Sequence, residues 1–525
     1  MGTYLNPGNS GFSDIVRDTY VDKTGLISCI NKAIDTPQKL ICVSRPRRFG
    51  KSFAAKMLCA YYDKSCDSGD LFKNLEIASS PDHEKHLNKY DVIYLDMADL
   101  KPFTEDYNRL IPTLEDVIND EICKDYPDVN RTDILPDTLV NTVEHSGSKF
   151  VMIIDEWDAP IRENPGILKE YLSFLRSLFK SSRTTDRTFA AVYMTGILPI
   201  KKDGSQSALS DFQEYTMLSP AQFSDYVGFT EKEVGELCEK YKTDFQQMKS
   251  RYDGYYLRDT GEVYNPNSVM QAIRRKRFSS YWVGTTAIES LMRYISLDYM
   301  GLSKTIAELI GGSSVEVDPL GFSNDLVTFK DKDDVLTLLV HLGYLAFDSE
   351  EKTARIPNEE IRREFEKAVR VSDHEETVRR VAESDRLIED TVHMDEEAVA
   401  RSIQKIHLEE TSPLFYNSEQ ALRGVIKLAY FAYRDYYLRF EELPAGAGFA
   451  DIVYFPKKGL AIPALLIELK WNKSARGAID QIKDKQYPDA IRDYGGDVLL
   501  VGINYDTEKK THECRIERLD SECTM

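Results

Sequence analysis

Along the first 220 residues, short apolar runs alternate with stretches whose apolar residues recur at helical spacing. Lys39–Ser44 (KLICVS), Val92–Asp96 (VIYLD), Phe150–Asp155 (FVMIID) and Phe189–Thr195 (FAAVYMT) are too short for helices, and each ends near a polar or turn residue. Such runs are strands buried on both faces, so the pattern predicts an α/β domain with a mostly parallel sheet over 1–220. From 221 to 370 the periodicity is mainly helical. Thr230 with Glu233 three residues on marks a helix start, where each side chain satisfies a backbone N–H of the other. Val335–Ala346 reads as an apolar helix running into a turn, then a short strand, then a helix from Pro357-Asn358. That order suits a winged-helix-like module.

Residues 371–405 carry blocks of charge such as Asp395-Glu396-Glu397, which predict a charged helical connector with solvated faces. The last segment, 406–525, reads as a helix (Ser418–Tyr437), a strand hairpin (Phe449–Trp471), a helix (Arg476–Asp493) and an apolar strand (Asp497–Asn504). It is a second, smaller α/β domain.

Composition narrows the class. A chain of 525 residues, 42% hydrophobic, is long enough for about three domains and rich enough to bury their cores, which excludes wholesale disorder. Lys and Arg total 67 against 87 Asp and Glu, a net charge of −20, which argues against a protein that coats nucleic acid by bulk charge. A local basic groove stays open. No apolar run reaches the length of a membrane span, the start MGTYLNPGNS lacks signal-peptide order, and the eight cysteines form no CxxC pair. The expectation is a soluble cytoplasmic protein with no membrane partner.

Two constellations carry chemistry. Ser44-Arg45-Pro46-Arg47-Arg48-Phe49-Gly50-Lys51-Ser52 lies between a predicted strand and a predicted helix, the setting of a phosphate-binding loop. Loop and first-turn N–H groups cradle phosphates, Lys51 neutralises them and the Ser52 hydroxyl ligates Mg2+. Arg45 occupies the place of the usual first glycine. About a hundred residues on, an apolar strand ends in Asp155-Glu156, which assigns Asp155 to Mg2+ and Glu156 to the general base on the attacking water. Thr195, at the end of another strand, is a candidate polar group near the γ-phosphate.

The second constellation is Asp451 on one hairpin strand and Glu468-Leu469-Lys470 on the next. Alternation puts Glu468 and Lys470 on one face, where a neighbouring Asp brings two hard carboxylates together for Mg2+ or Mn2+. Glu419 is a candidate third carboxylate, and Gln481 and Lys485 share a helix face that reaches the site or a DNA phosphate. Lys470, Lys473, Arg476, Lys483 and Lys485 offer a local positive surface.

With these residues in view, the chain resembles the bacterial and archaeal AAA-ATPase-like proteins that carry a C-terminal PD-(D/E)XK nuclease-superfamily domain. The resemblance rests on Tyr20-Val-Asp-Lys-Thr24, Arg45–Ser52, Ile154-Asp-Glu-Trp-Asp158, Tyr252-Asp-Gly-Tyr255, Val263-Tyr-Asn-Pro266, Tyr281-Trp-Val, Gly448-Phe-Ala-Asp451, Ile467-Glu-Leu-Lys470, Gln481-Ile482 and Lys485-Gln-Tyr487. The family often has Arg or another Gly around the turn before the aspartate, where this chain reads Gly446-Ala-Gly-Phe-Ala-Asp451. The resemblance implies a P-loop ATPase that controls a metal-dependent nuclease acting on DNA, with ATP and Mg2+ as cofactors and a homo-oligomer as a possible assembly. A regulatory switch that binds nucleic acid or protein without cutting is the alternative, and a structural adaptor with neither activity ranks last.

Overall fold

The structure, a computed structural model, describes residues 2–99, 109–180, 182–200, 202–203, 206–207, 209, 211–258, 260–282, 302–322, 329, 331–371, 375–410, 418–430, 433, 436–445, 448–457, 460, 462–484 and 497–519. Lys485 and Tyr487 lie outside these residues, as does Val283. The chain forms two compact units, residues 1–284 with 316–363 and residues 285–315 with 364–525. The segment expected as 221–370 is thus shared between them.

The first unit is built on a five-stranded parallel sheet. Its strands are β1 (Leu40–Ser44), β2 (Asp91–Asp96), β3 (Phe150–Asp155), β4 (Phe189–Gly196) and β5 (Gln213–Tyr215), in the order β2–β3–β4–β1–β5. The four expected strands are all present; β5 escaped notice because it is a half-exposed polar triplet. Every residue of β1, β3 and β4 is buried, which is why they read as unbroken apolar runs. Helix α1 (Lys51–Tyr62) follows β1 through the phosphate-type loop, and α2 (Ala159–Glu163) follows β3.

The same unit carries smaller elements. Strands β6 (Phe229–Thr230), β7 (Tyr255–Leu257) and β8 (Gly261–Tyr264) make an antiparallel sheet in the order β6–β8–β7. Thr230 caps the helix Glu231–Tyr241 with the expected reciprocal bonds to Glu233. Helix α3 (Pro266–Arg275) follows, capped by Asn265. Further on, α4 (Lys332–Leu342), the hairpin of β9 (Ala346–Asp348) and β10 (Thr353–Arg355), and the first turn of α5 (Glu359–Val371), which belongs to the second unit from Glu364, give a helix–hairpin–helix order.

The second unit is a mixed five-stranded sheet. Its strands β11 (Tyr437–Ala445), β12 (Gly448–Pro456), β13 (Ala464–Trp471), β14 (Val498–Asp506) and β15 (Thr511–Arg518) are adjacent in sequence order, and only β13 and β14 run parallel. The charged stretch before it is not a solvated connector. Helices α6 (Glu375–Val392) and α7 (Glu396–Glu410) bury Leu387, Ile388, Val399 and Ile403 in the core formed by α8 (Glu419–Ala429) and Leu465, Ile467 and Leu469 of β13. Their charges mask a narrow apolar stripe at helical spacing. Helix α8 ends at Ala429, short of the expected Tyr437, where β11 begins instead. Helix α9 (Ala475–Asp484) packs against the other face of the sheet through Ile479 and Ile482. Among the described residues no helix is long and apolar enough to cross a membrane.

Candidate functional site

The loop between β1 and α1 has the backbone shape its sequence demands. Arg48 (φ +67°) and Gly50 (φ +92°) are both left-handed, and alternation of hand turns successive N–H groups into one concavity. Arg48 bears the steric cost of an L-residue there, about 1 kcal/mol. Neighbouring segments hold the loop in this form: Arg48 Nη1 donates to the Tyr281 carbonyl at 2.5 Å and Asn265 Nδ2 to the Arg47 carbonyl at 3.3 Å. Phe49 is buried edge-on against Tyr255, and the Tyr255 hydroxyl donates to the Gly343 carbonyl at 2.6 Å. Pro46 is buried against Gly343, where an added Cβ would lie 2.6 Å from it. Glu360 accepts from Ser268 Oγ at 2.7 Å and from the backbone N–H groups of Tyr281 and Trp282. The dispersed motifs at 252–255, 263–266 and 281–282 therefore meet around one loop.

Lys51 is 3% exposed. Its Nζ donates to the Pro46 carbonyl at 2.9 Å and stands 3.6 Å from Glu156 Oε1. Burial pushes its pKa down, opposed by the carboxylates of Glu156 and Asp155. Asp155, at the end of β3, is wholly buried; its Oδ1 accepts the Glu156 N–H at 3.0 Å, and among the described residues its Oδ2 has no hydrogen-bond partner. Desolvation raises its pKa to about 6, with the Ser52 hydroxyl pulling the other way and Asp96 and Glu156 adding to the rise. An orphaned carboxylate oxygen beside a serine hydroxyl and an N–H-lined loop fits a phosphate-bound Mg2+, which takes one or two protein oxygens and completes its shell with phosphate and water.

Glu156 has left-handed backbone (φ +51°), and its Oε2 is paired with Arg162 of α2 at 2.7 Å. The Nε of Arg162 binds Asp158 at 2.8 Å, and Asp158 in turn accepts the N–H groups of Ile197 and Leu198 at 3.2 and 3.1 Å. Sequence reading missed Arg162; its signal was the i,i+4 spacing from Asp158 on a helix. Two other expected residues turn inward. The Arg45 guanidinium is fully buried and donates to the carbonyls of Ser44, Tyr215 and Phe223, so only its backbone faces the loop. The buried Thr195 hydroxyl donates to the Val43 carbonyl at 2.8 Å, tying β4 to β1.

A cavity of about 590 Å³ opens beside Lys51 and Ser52, walled by Tyr20, Phe53, Phe229 and Met270. Tyr20 belongs to the Tyr20–Thr24 motif, which is fastened by Lys23 to Glu233 at 2.6 Å and by Asp22 to the N–H and hydroxyl of Thr24. Residues 8–205 match the family model described as predicted AAA-ATPase.

That stretch is therefore a predicted AAA-ATPase-like domain. A protein of Azotobacter chroococcum mcd 1, described as an uncharacterized protein in the vnfD 5′ region, is 24% identical over 278 residues, 51% of this chain and 50% of the relative. The chain thus spans about half the length of the curated relative it matches. Among solved structures, C. elegans PCH-2 aligns with 48% of this chain and 55% of its own at 14% identity. The TM-score of that alignment is 0.24.

In the second unit, Asp451, Glu468 and Lys470 come together and are buried. The β12–β13 ladder runs to Ile452 opposite Ile467, and just beyond it Asp451 Oδ2 accepts the Leu469 N–H at 2.8 Å. Asp451 Oδ1 is paired with Arg423 of α8. Lys470 Nζ binds Glu468 Oε1 at 2.9 Å, and Gln481 of α9 donates to the same oxygen. Arg423 was not singled out from the sequence, although it follows Glu419 by one helical turn. Glu419 lies in the first turn of α8, and among the described residues no three His, Cys, Asp or Glu side chains are placed to hold a metal ion. The expected positive surface is largely neutralised: Arg476 and Lys483 both pair with Glu517, at 2.6 Å each.

Proposed function

We propose that this protein binds and hydrolyses ATP with Mg2+ in its first unit and thereby governs a C-terminal metal-dependent nuclease acting on DNA. The observation that carries the ATPase reading is the convergence of Lys51, Ser52, Asp155 and Glu156 around an N–H-lined loop at the mouth of a nucleoside-sized cavity. Lys51 exchanges the Pro46 carbonyl for phosphate oxygens, and the Arg47–Lys51 backbone cradles the same group. Ser52 and Asp155 hold the ion, which supplies charge neutralisation at the phosphates when bound. Glu156 orients a water and takes its proton. Lys51→Ala is expected to abolish ATP binding, and Glu156→Gln to keep binding while losing roughly 100-fold or more in turnover. Normal turnover by the Gln variant would exclude Glu156 as the base.

The nuclease reading rests on the hard oxygens of Asp451 and Glu468 beside Lys470, the donor set for Mg2+ or Mn2+. Cleavage of linear and circular DNA with either ion, with and without ATP, tests it against Asp451→Asn. One observation favours the second reading, a switch that binds without cutting: Asp451 and Glu468 are already matched by Arg423 and Lys470. ATP hydrolysis without cleavage under any of these conditions would decide for the switch.

A further inference from the structure

Lys51, Glu156 and Arg162 form a continuous chain of charge, with Glu156 Oε1 3.6 Å from the lysine and Oε2 2.7 Å from the arginine. The two ends of that chain differ. Lys51 faces the phosphate loop and has a better partner there once a nucleotide arrives. Arg162 is held in place instead: its Nε is locked on Asp158, which is 1% exposed and is itself held by two backbone N–H groups after β4. One nitrogen of a planar guanidinium, Nε, is therefore anchored on a rigid corner of the sheet, and a second, Nη2, holds the Glu156 carboxylate.

We infer that Arg162 is the positioning residue for Glu156 in hydrolysis. This rests on the reading of Glu156 as the group that activates water. When Lys51 turns to the phosphates, Arg162 alone fixes the rotamer of Glu156, leaving Oε1 to face the water. The left-handed backbone at Glu156 aims the side chain, and Arg162 keeps it there. A lysine replaces it only in part, because a single ammonium keeps the charge but does not span both Asp158 and Glu156 as the fork does.

The experiment measures ATP binding and steady-state hydrolysis with Mg2+ in the full-length protein for wild type, Arg162→Met, Arg162→Lys and Lys51→Ala, with unfolding midpoints for each. Arg162→Met is expected to lower kcat roughly 10–100-fold, as a small misplacement of a reacting group does. Its KM should stay within about three-fold, since the lost contact does not touch the nucleotide. Arg162→Lys should recover part of kcat; should the Met variant not fold, a lowered kcat at normal KM in the Lys variant carries the same conclusion. Unchanged kcat in Arg162→Met would overturn the proposal, and raised kcat would show a restraint instead. Loss of kcat and KM together with a lowered unfolding midpoint would reduce Arg162 to a structural tie. Wild-type protein without Lys51-dependent hydrolysis would sink the ATPase reading itself and this proposal with it, an outcome distinct from the others.

Discussion

Gly343→Ala should reach the nucleotide loop from a distance in sequence of almost three hundred residues. Gly343 ends α4 in left-handed backbone (φ +85°), and a Cβ there would lie 2.6 Å from Pro46 Cβ and 2.9 Å from Pro46 Cγ and from Trp282. Gly147 ends the helix Leu135–Ser146 in the same way (φ +69°), but a Cβ there meets nothing within 4 Å. The pair separates two terms. Backbone strain from Ala at a left-handed cap is about 1 kcal/mol and common to both. Forcing a methyl into packed neighbours adds about 1–3 kcal/mol at Gly343 alone. Gly147→Ala should therefore cost about 1 kcal/mol and Gly343→Ala about 2–4 kcal/mol. Urea unfolding followed by the fluorescence of Trp157 and Trp282, with Trp471 of the second unit replaced by Phe, reads the difference as a midpoint shift at unchanged slope. Pro46 also supplies the carbonyl that holds Lys51, so ATP affinity should fall in Gly343→Ala and stay normal in Gly147→Ala. Equal stability losses with unaltered ATP affinity would refute the claim that the loop is braced from this side.

The Asp155 carboxyl, raised to about 6 from an ordinary 3.8, binds its proton more tightly in the folded chain than in the unfolded one. The linked stability is complete below about pH 4 and is lost as pH rises through about 6, a difference of about 3 kcal/mol at most. In metal-free buffer Asp155→Asn should accordingly unfold later than wild type at pH 8 and no later at pH 4, while losing Mg2+-dependent hydrolysis; an equal gain at both pH values would show another cause. At the C-terminal site, Asp451→Ala breaks the ion pair with the largely buried Arg423 and removes the acceptor of the Leu469 N–H, and should cost about 3 kcal/mol. Asp451→Asn, which keeps an oxygen for the Leu469 N–H, should cost less, and thermal midpoints that rank the two the other way would contradict the pairing. Thr195→Val removes a buried donor to the Val43 carbonyl and should destabilise by about 1–2 kcal/mol with no change in kcat for ATP, so a selective fall in kcat would restore Thr195 to the nucleotide site.

Local pattern carried the strands of the first sheet, because a strand buried on both faces leaves a contiguous apolar run of the right length. It also carried the Gly-Lys-Ser loop and the Asp155-Glu156 strand end, since those groups stand within a few residues of their own strand. It read poorly where polarity and burial part company. The charged α6 and α7 hide the stripe of Leu387, Ile388, Val399 and Ile403, and the polar β5 shows no apolar run at all. Arg45, in the first-glycine place of the loop, turns its side chain to three carbonyls contributed by β1, β5 and Phe223, a partnership that its neighbours in sequence do not show.

By itself, the sequence determined which chemical groups this protein owns and on which elements they stand: a lysine and serine at a helix start, two acids at a strand end, two acids and a lysine on a later hairpin. Tertiary structure alone decided what those groups face. Lys51 meets Glu156 across about a hundred residues of chain, Glu156 meets Arg162, Asp451 meets Arg423, and Pro46 rests on Gly343. Side-chain charge is a property of one residue, but its partner is set by packing between elements whose separation along the chain carries no information about their separation in space.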